Sequence, residues 1–199
     1  APVREYMDAA MAAASKILLC ANADGGFSWF EGMKSSPIVT AVLLERFAGL
    51  RDRRLLNVVS EELGEDALDA FDEAVVSAVR YMDSVYFSDP DRPVWYGCIS
   101  LWQYLNVRSM YVGLPFDEPA ARKAIGTKGY NEFRKTVKSY LVPKKGERWS
   151  DGDVLSKVRM IRVIDALMGS EQGQALAKAW GVSSDRKLRK SMKMELESL

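Results

Sequence analysis

Apolar residues recur at three- and four-residue steps along most of this chain, which is the spacing of an amphipathic α-helix. One such stripe covers residues 3–21, and the spacing returns over residues 38–50. A longer stripe covers residues 67–85 and stops ahead of Pro90 and Pro93, which cannot continue a helix. The first half of the chain is therefore predicted to be helical.

The second half repeats this spacing, and no stretch alternates apolar and polar residues with β-branched enrichment. We therefore predict an all-α chain of roughly eight to ten helices at ordinary helix and loop lengths. The remaining predicted helices are a short one at 53–63 ending at Gly64, one within 97–111, a weaker one from Asp117, one over 130–141, one capped by Ser150 or Asp151 and ended by Gly169, one at about 170–180 stopped by Gly181, and one at about 184–198.

A glycine-hinged loop separates the first two helices, with the sequence Asn-Ala-Asp-Gly-Gly-Phe-Ser-Trp-Phe at residues 22–30. Its two glycines accept backbone angles that a side chain would forbid. The aspartate before them favours an Asx-type turn. We expect the three aromatic side chains to lie buried against the first two helices. The residues of this structural loop are Asp24, Gly25, Gly26, Phe27, Trp29 and Phe30.

The composition is that of an ordinary globular protein, with 48% hydrophobic and 28% charged residues in a chain of 199. The net charge is +1, so no whole-molecule field favours nucleic acid or an anionic membrane. No apolar run reaches the ~18 residues that a membrane span needs, and direct membrane insertion is not expected. The basic residues near the end are expected to form a face that is solvated or that packs on another domain: Lys187, Arg189, Lys190 and Lys193.

The chain contains no histidine, which excludes Ser-His-Asp and Cys-His catalysis and histidine-ligated zinc within it. Cys20 and Cys98 stand in apolar surroundings and are expected to be buried, neutral thiols. Asp-x-Asp spacing occurs at residues 89–91 and 151–153, where a proline turn and a helix start explain it better than a metal. No catalytic residue, metal or cofactor is predicted.

The loop and the helix after it, which begins Ser-Pro-Ile-Val-Thr-Ala at Ser36, resemble a known family. They are similar to the Asp-Gly-Gly-Phe loop and the Thr-Ala helix of the thioester-type domain in the bacterial, Bacteroidetes-type alpha-2-macroglobulin family. The stretches 101–111, 140–149 and 177–181 resemble later parts of the same domain. The resemblance therefore covers most of the chain.

The resemblance implies an α/α toroid, present as an incomplete ring or a curved array of antiparallel helix pairs. Loops carrying glycine, proline and an inward-facing tryptophan would join the pairs, at Trp29, Trp95 and Trp149. Residues 1–199 are expected to form a single helical domain, a fragment of a larger toroid domain in a multidomain protein.

The family's chemical device is a thioester between the cysteine and the glutamine of a Gly-Cys-Gly-Glu-Gln motif. The nearest stretch here, Gly-Cys-Ile-Ser-Leu at residues 97–101, lacks the acid and the glutamine, so we assign no thioester residue. The resemblance thus implies a non-catalytic structural domain of a protease inhibitor in the periplasm or anchored to the outer membrane. Its partners would be other domains of the same polypeptide and, through the parent protein, target proteases.

Two other functions stay open at this point. An α/α-barrel carbohydrate-active enzyme would use two carboxylates that face each other in a deep cavity. A helical-repeat interaction scaffold would instead expose a concave apolar groove.

Overall fold

The computed structural model describes residues 2–52, 65–88, 99–142, 154–182 and 185–197. These ranges contain no β-strand, only an isolated antiparallel bridge between Ala21 and Phe27, so the all-α prediction is confirmed for them. The helices within them are α1 (Pro2–Leu19), α2 (Pro37–Asp52), α3 (Glu65–Ser88), α4 (Leu101–Ser109), α5 (Glu118–Leu141), α6 (Val154–Met168), α7 (Glu171–Ala179) and α8 (Asp185–Leu196).

Some sequence predictions lie outside the described residues. They are the segment 53–63, Trp95, Cys98, Trp149 and the two Asp-x-Asp pairs. No helix in the described ranges is both long enough and apolar enough to cross a membrane.

The chain divides into two compact units, residues 1–86 with 91–100 and residues 87–90 with 101–199. In the first unit, an edge-to-face series of phenylalanine rings joins the loop to α2 and α3. Phe27 lies 6.0 Å from Phe47, and Phe47 lies 4.6 Å from Phe71, between ring centroids. This aromatic series forms the centre of the first unit, together with buried side chains of α3: Val75, Ala78, Val79 and Met82.

The core of the second unit is also aromatic. The ring of Phe87 lies 5.0 Å from that of Phe133, and the ring of Tyr104 lies 5.9 Å from the fully buried Trp180. Helix α6 packs on α4, α7 and α8. On the outside of α8 the side chains of Arg189, Lys190 and Lys193 are exposed, as the sequence predicts for this basic helix.

Polar side chains begin two of the helices, and a glycine interrupts one, near the positions that the sequence predicts. The hydroxyl of Ser36 accepts the N–H of Val39 at 3.4 Å, and α2 begins at Pro37. Asp117 caps α5, which consists of two helical parts, as predicted, that meet at a kink at Gly126, where φ is +70° and ψ is +164°. Residues with a side chain disfavour this positive φ, which explains why a glycine occupies the kink.

Candidate functional site

The loop at residues 22–36 is braced by hydrogen bonds of two side chains, those of Asp24 and Asn22. The Oδ1 atom of Asp24 accepts the N–H of Gly26 at 3.0 Å and the hydroxyl of Ser35 at 2.6 Å. The first of these bonds is the predicted Asx turn, which is confirmed. From the same arm as Asp24, the Nδ2 atom of Asn22 donates across the loop to the carbonyl oxygen of Met33 and to the hydroxyl of Ser35, both at 2.9 Å. The two arms of the loop are thereby tied to each other.

The two glycines are required for different reasons. Gly25 has a φ of +88°, and a Cβ there would lie 2.6 Å from the carbonyl oxygen of Ser77 on α3. Gly26 does not have a positive φ, so the predicted need for an unusual backbone angle applies only to Gly25. At Gly26 the constraint is contact, because a Cβ would lie 2.7 Å from the Cζ atom of Tyr81. Both glycines let the loop backbone lie directly on α3.

Phe27 anchors the loop in the core, and its predicted burial is confirmed. The side chain is 0% exposed, and its backbone N–H donates to the hydroxyl of buried Thr40 at 2.8 Å. The Thr40 hydroxyl in turn donates to the carbonyl oxygen of Ser36 at 2.9 Å. The first turn of α2 and the aromatic part of the loop therefore share one buried hydrogen-bond network.

The predicted burial of the other two aromatic side chains is wrong, since Trp29 is 64% and Phe30 is 70% exposed. The inward positions are already taken by the ring of Phe27 and by Ser28, which is 3% exposed. The Ser28 hydroxyl donates to the carbonyl oxygen of Phe30 at 2.7 Å, and a turn follows in which Met33 N–H donates to the same oxygen at 3.2 Å. Trp29 and Phe30 therefore project outward from a braced backbone.

A sequence signal for this outcome exists. Three aromatic residues within four positions of a tight loop cannot all reach one core, and the small polar Ser28 marks the second inward position. Close by, Met33 is 49% exposed. We call Trp29, Phe30 and Met33 the aromatic surface of the loop.

Two further residues beside the loop are Tyr81 and Cys20. Burial, and secondly the negative charge of Asp24, raises the pKa of Tyr81 above its ordinary value. Cys20, expected to be buried, is half-buried because it stands just past the end of α1, where the chain turns. It forms no disulfide with any described residue.

Carboxylates gather on the outer face of α3 rather than at the loop. Asp69, Asp72 and Glu73 line a surface depression of about 500 Å³, together with Arg80. All three carboxylates are exposed, so this depression does not offer the buried, facing pair that glycoside chemistry uses. Among the described residues, no group of three or more His, Cys, Asp or Glu side chains is arranged to hold a metal ion.

In comparisons with protein-family models, with curated proteins and with solved structures, the chain matches none of them. Fold and site together define an all-α protein with two compact helical units and an outward aromatic surface on a braced loop.

Proposed function

We propose that this chain is a non-catalytic helical domain of a bacterial alpha-2-macroglobulin-like protease inhibitor, in which the aromatic surface contacts another domain of the same polypeptide. The resemblance of the loop and of three later stretches to that family supports the assignment. The observation that carries the proposed contact is the exposure of Trp29 and Phe30 on a backbone held by side-chain hydrogen bonds.

The physical reason is that this arrangement is costly in water and favourable in a contact. Buried aromatic side chains remove about 150–250 Å² of surface each from water, and tryptophan is enriched among the residues that dominate interface energies. A loop already fixed by the bonds of Asp24 and Asn22 loses little conformational entropy on binding. The aromatic surface is thus preorganised for a partner.

In the same proposal, the helix pairs belong to an incomplete α/α toroid that other parts of the parent polypeptide complete. The parent protein would reside in the periplasm or be anchored to the outer membrane, where it traps proteases that cleave it.

Protease trapping by the full-length polypeptide that contains this chain tests the proposal. After cleavage by a protease, we expect the protease to remain bound, active on a small peptide substrate and shielded from a large protein substrate. The double variant W29A/F30A should trap less protease, while the isolated chain should keep its stability within about 0.5 kcal/mol because both side chains are exposed.

The matched control is Tyr140→Ala, which removes a 45% exposed aromatic side chain in the second unit and should leave trapping unchanged. A full-length protein that retains no protease after cleavage would overturn the proposed family function. Trapping that survives W29A/F30A intact would overturn the role of the aromatic surface alone.

A further inference from the structure

A cavity of about 510 Å³ lies in the second unit, among α5, α6, α7 and α8. This volume is within the range of about 300–1,000 Å³ that small-molecule sites occupy, and such sites combine an apolar lining with a few polar groups. Its floor consists of buried apolar side chains: Leu167, Ala177, Val182 and Leu188.

Two cations line the same cavity, Arg134 from α5 and Lys178 from α7. Neither forms an ion pair with a carboxylate among the described residues. The Nη2 atom of Arg134 makes one long hydrogen bond, 3.4 Å, to the carbonyl oxygen of Lys178. Its Nε atom is buried without an acceptor in the described part of the chain. Because the Nε atom is closed to solvent, a ligand in the cavity would reach the guanidinium through its Nη atoms.

The C-terminal carbonyl groups of α7 repel an anion in the cavity less than the free carbonyl groups of an uncapped helix would. Its last carbonyls are satisfied by a turn in which Val182 N–H donates to Ala177 O at 2.8 Å and Gly181 N–H donates to Lys178 O at 3.0 Å. Gly181 has a φ of +78°, as this capping motif requires. The second unit also carries 19 of the 28 Lys and Arg residues but only 12 of the 27 Asp and Glu residues. Its field therefore attracts anions, which the net charge of the whole chain conceals.

We propose that this cavity binds a carboxylate attached to an apolar body. The carboxylate would lie between Arg134 and Lys178, where the planar guanidinium can donate two parallel hydrogen bonds. The apolar body would lie against Met168 and Ala175, the apolar lining residues that keep exposed surface. The ligand is either a free organic acid or the C-terminal residue of a peptide, since both present this chemistry. The inference stands independently of the proposed protease-inhibitor function.

Titration of the chain with sodium octanoate tests the proposed carboxylate site. Calorimetry measures the binding, and amide chemical shifts map where it occurs. Octanol and octylammonium serve as probes of the same length without the negative charge. We expect octanoate to bind at least tenfold more tightly than either, with shifts concentrated at residues 174–182 and Leu188. N-acetyl-leucine represents the peptide C-terminus, and the tighter of the two carboxylates identifies the source.

Two variants distinguish binding in the cavity from a general attraction of anions to the second unit. Lys178→Gln removes an exposed cation at the cavity, so the fold should persist while octanoate affinity falls about fivefold to tenfold. Lys128→Gln removes an exposed cation of α5 that does not line the cavity and should leave affinity unchanged. Equal binding of octanol and octanoate, equal effects of the two variants, or shifts mapped elsewhere would each overturn the proposal.

Discussion

Replacing Gly25 by alanine should destabilise the first unit far more than an ordinary surface substitution. Two costs add at this position. The φ of +88° is in the left-handed region, which costs a residue with a Cβ about 1–2 kcal/mol. The new Cβ would also lie 2.6 Å from the carbonyl oxygen of Ser77 and 2.9 Å from its carbonyl carbon. That carbonyl belongs to the backbone of α3 and cannot rotate away, so overpacking adds about 1–3 kcal/mol.

Gly32→Ala is the matched control, because Gly32 has a similar φ of +77° but nothing within 4 Å of an added Cβ. It should cost only the conformational part, about 1–2 kcal/mol. The excess for Gly25→Ala, about 1–3 kcal/mol, corresponds to about 2–12 °C in melting temperature for a chain of this size. Thermal unfolding followed by circular dichroism at 222 nm measures both. Equal melting temperatures for the two variants would refute the inference that the loop packs directly on α3.

Three further predictions concern polar groups. Asp24→Ala should cost about 1–3 kcal/mol in urea unfolding because two hydrogen bonds are lost, whereas Asp24→Asn keeps the acceptor and should cost less than half as much. Burial raises the pKa of Tyr130 to about 12, so the unfolded chain loses this proton first and stability should fall between about pH 10 and 12, an effect that Tyr130→Phe should reduce. The fully buried guanidinium of Arg108 donates to two turn carbonyls, those of Tyr111 at 2.7 Å and Leu114 at 2.8 Å. Arg108→Met should therefore lower the free energy of unfolding by about 3 kcal/mol or more, and Arg108→Lys should not restore it, because an ammonium group does not reproduce the planar donor geometry.

Local chemistry made much of the fold predictable from the sequence. Ser36 ahead of Pro37, Asp117 ahead of α5 and Gly181 after α7 act on neighbouring backbone groups only, and each ends or begins a helix as predicted. The Asx turn at Asp24 is likewise local and was predictable. Interactions within a few residues of sequence depend little on the tertiary structure, which explains these successes.

Features that depend on distant packing were not predictable in the same way. Burial of Phe27 and exposure of Trp29 follow from which side chain first fills the space beside α2 and α3, and residue type alone does not decide this. The complete burial of Arg108 is equally invisible to an apolar pattern, because arginine counts as polar there. The cavity beside Arg134 arises from the meeting of four helices and has no sequence motif.

The loop backbone is held by more contacts than the burial of Phe27 requires, and this excess explains the aromatic surface. Two glycines in contact with α3, the paired bonds of Asp24 and the buried network of Thr40 all fix the backbone on either side of Trp29. Anchoring Phe27 alone would not require the second arm of the loop, yet Asn22 ties that arm down at Met33. A flexible arm would let Trp29 and Phe30 collapse onto nearby apolar surface, whereas a rigid one holds them in water. Holding apolar side chains in water is unfavourable for the isolated chain, but it favours binding when the chain meets a complementary surface. The Trp29 and Phe30 variants measure this difference.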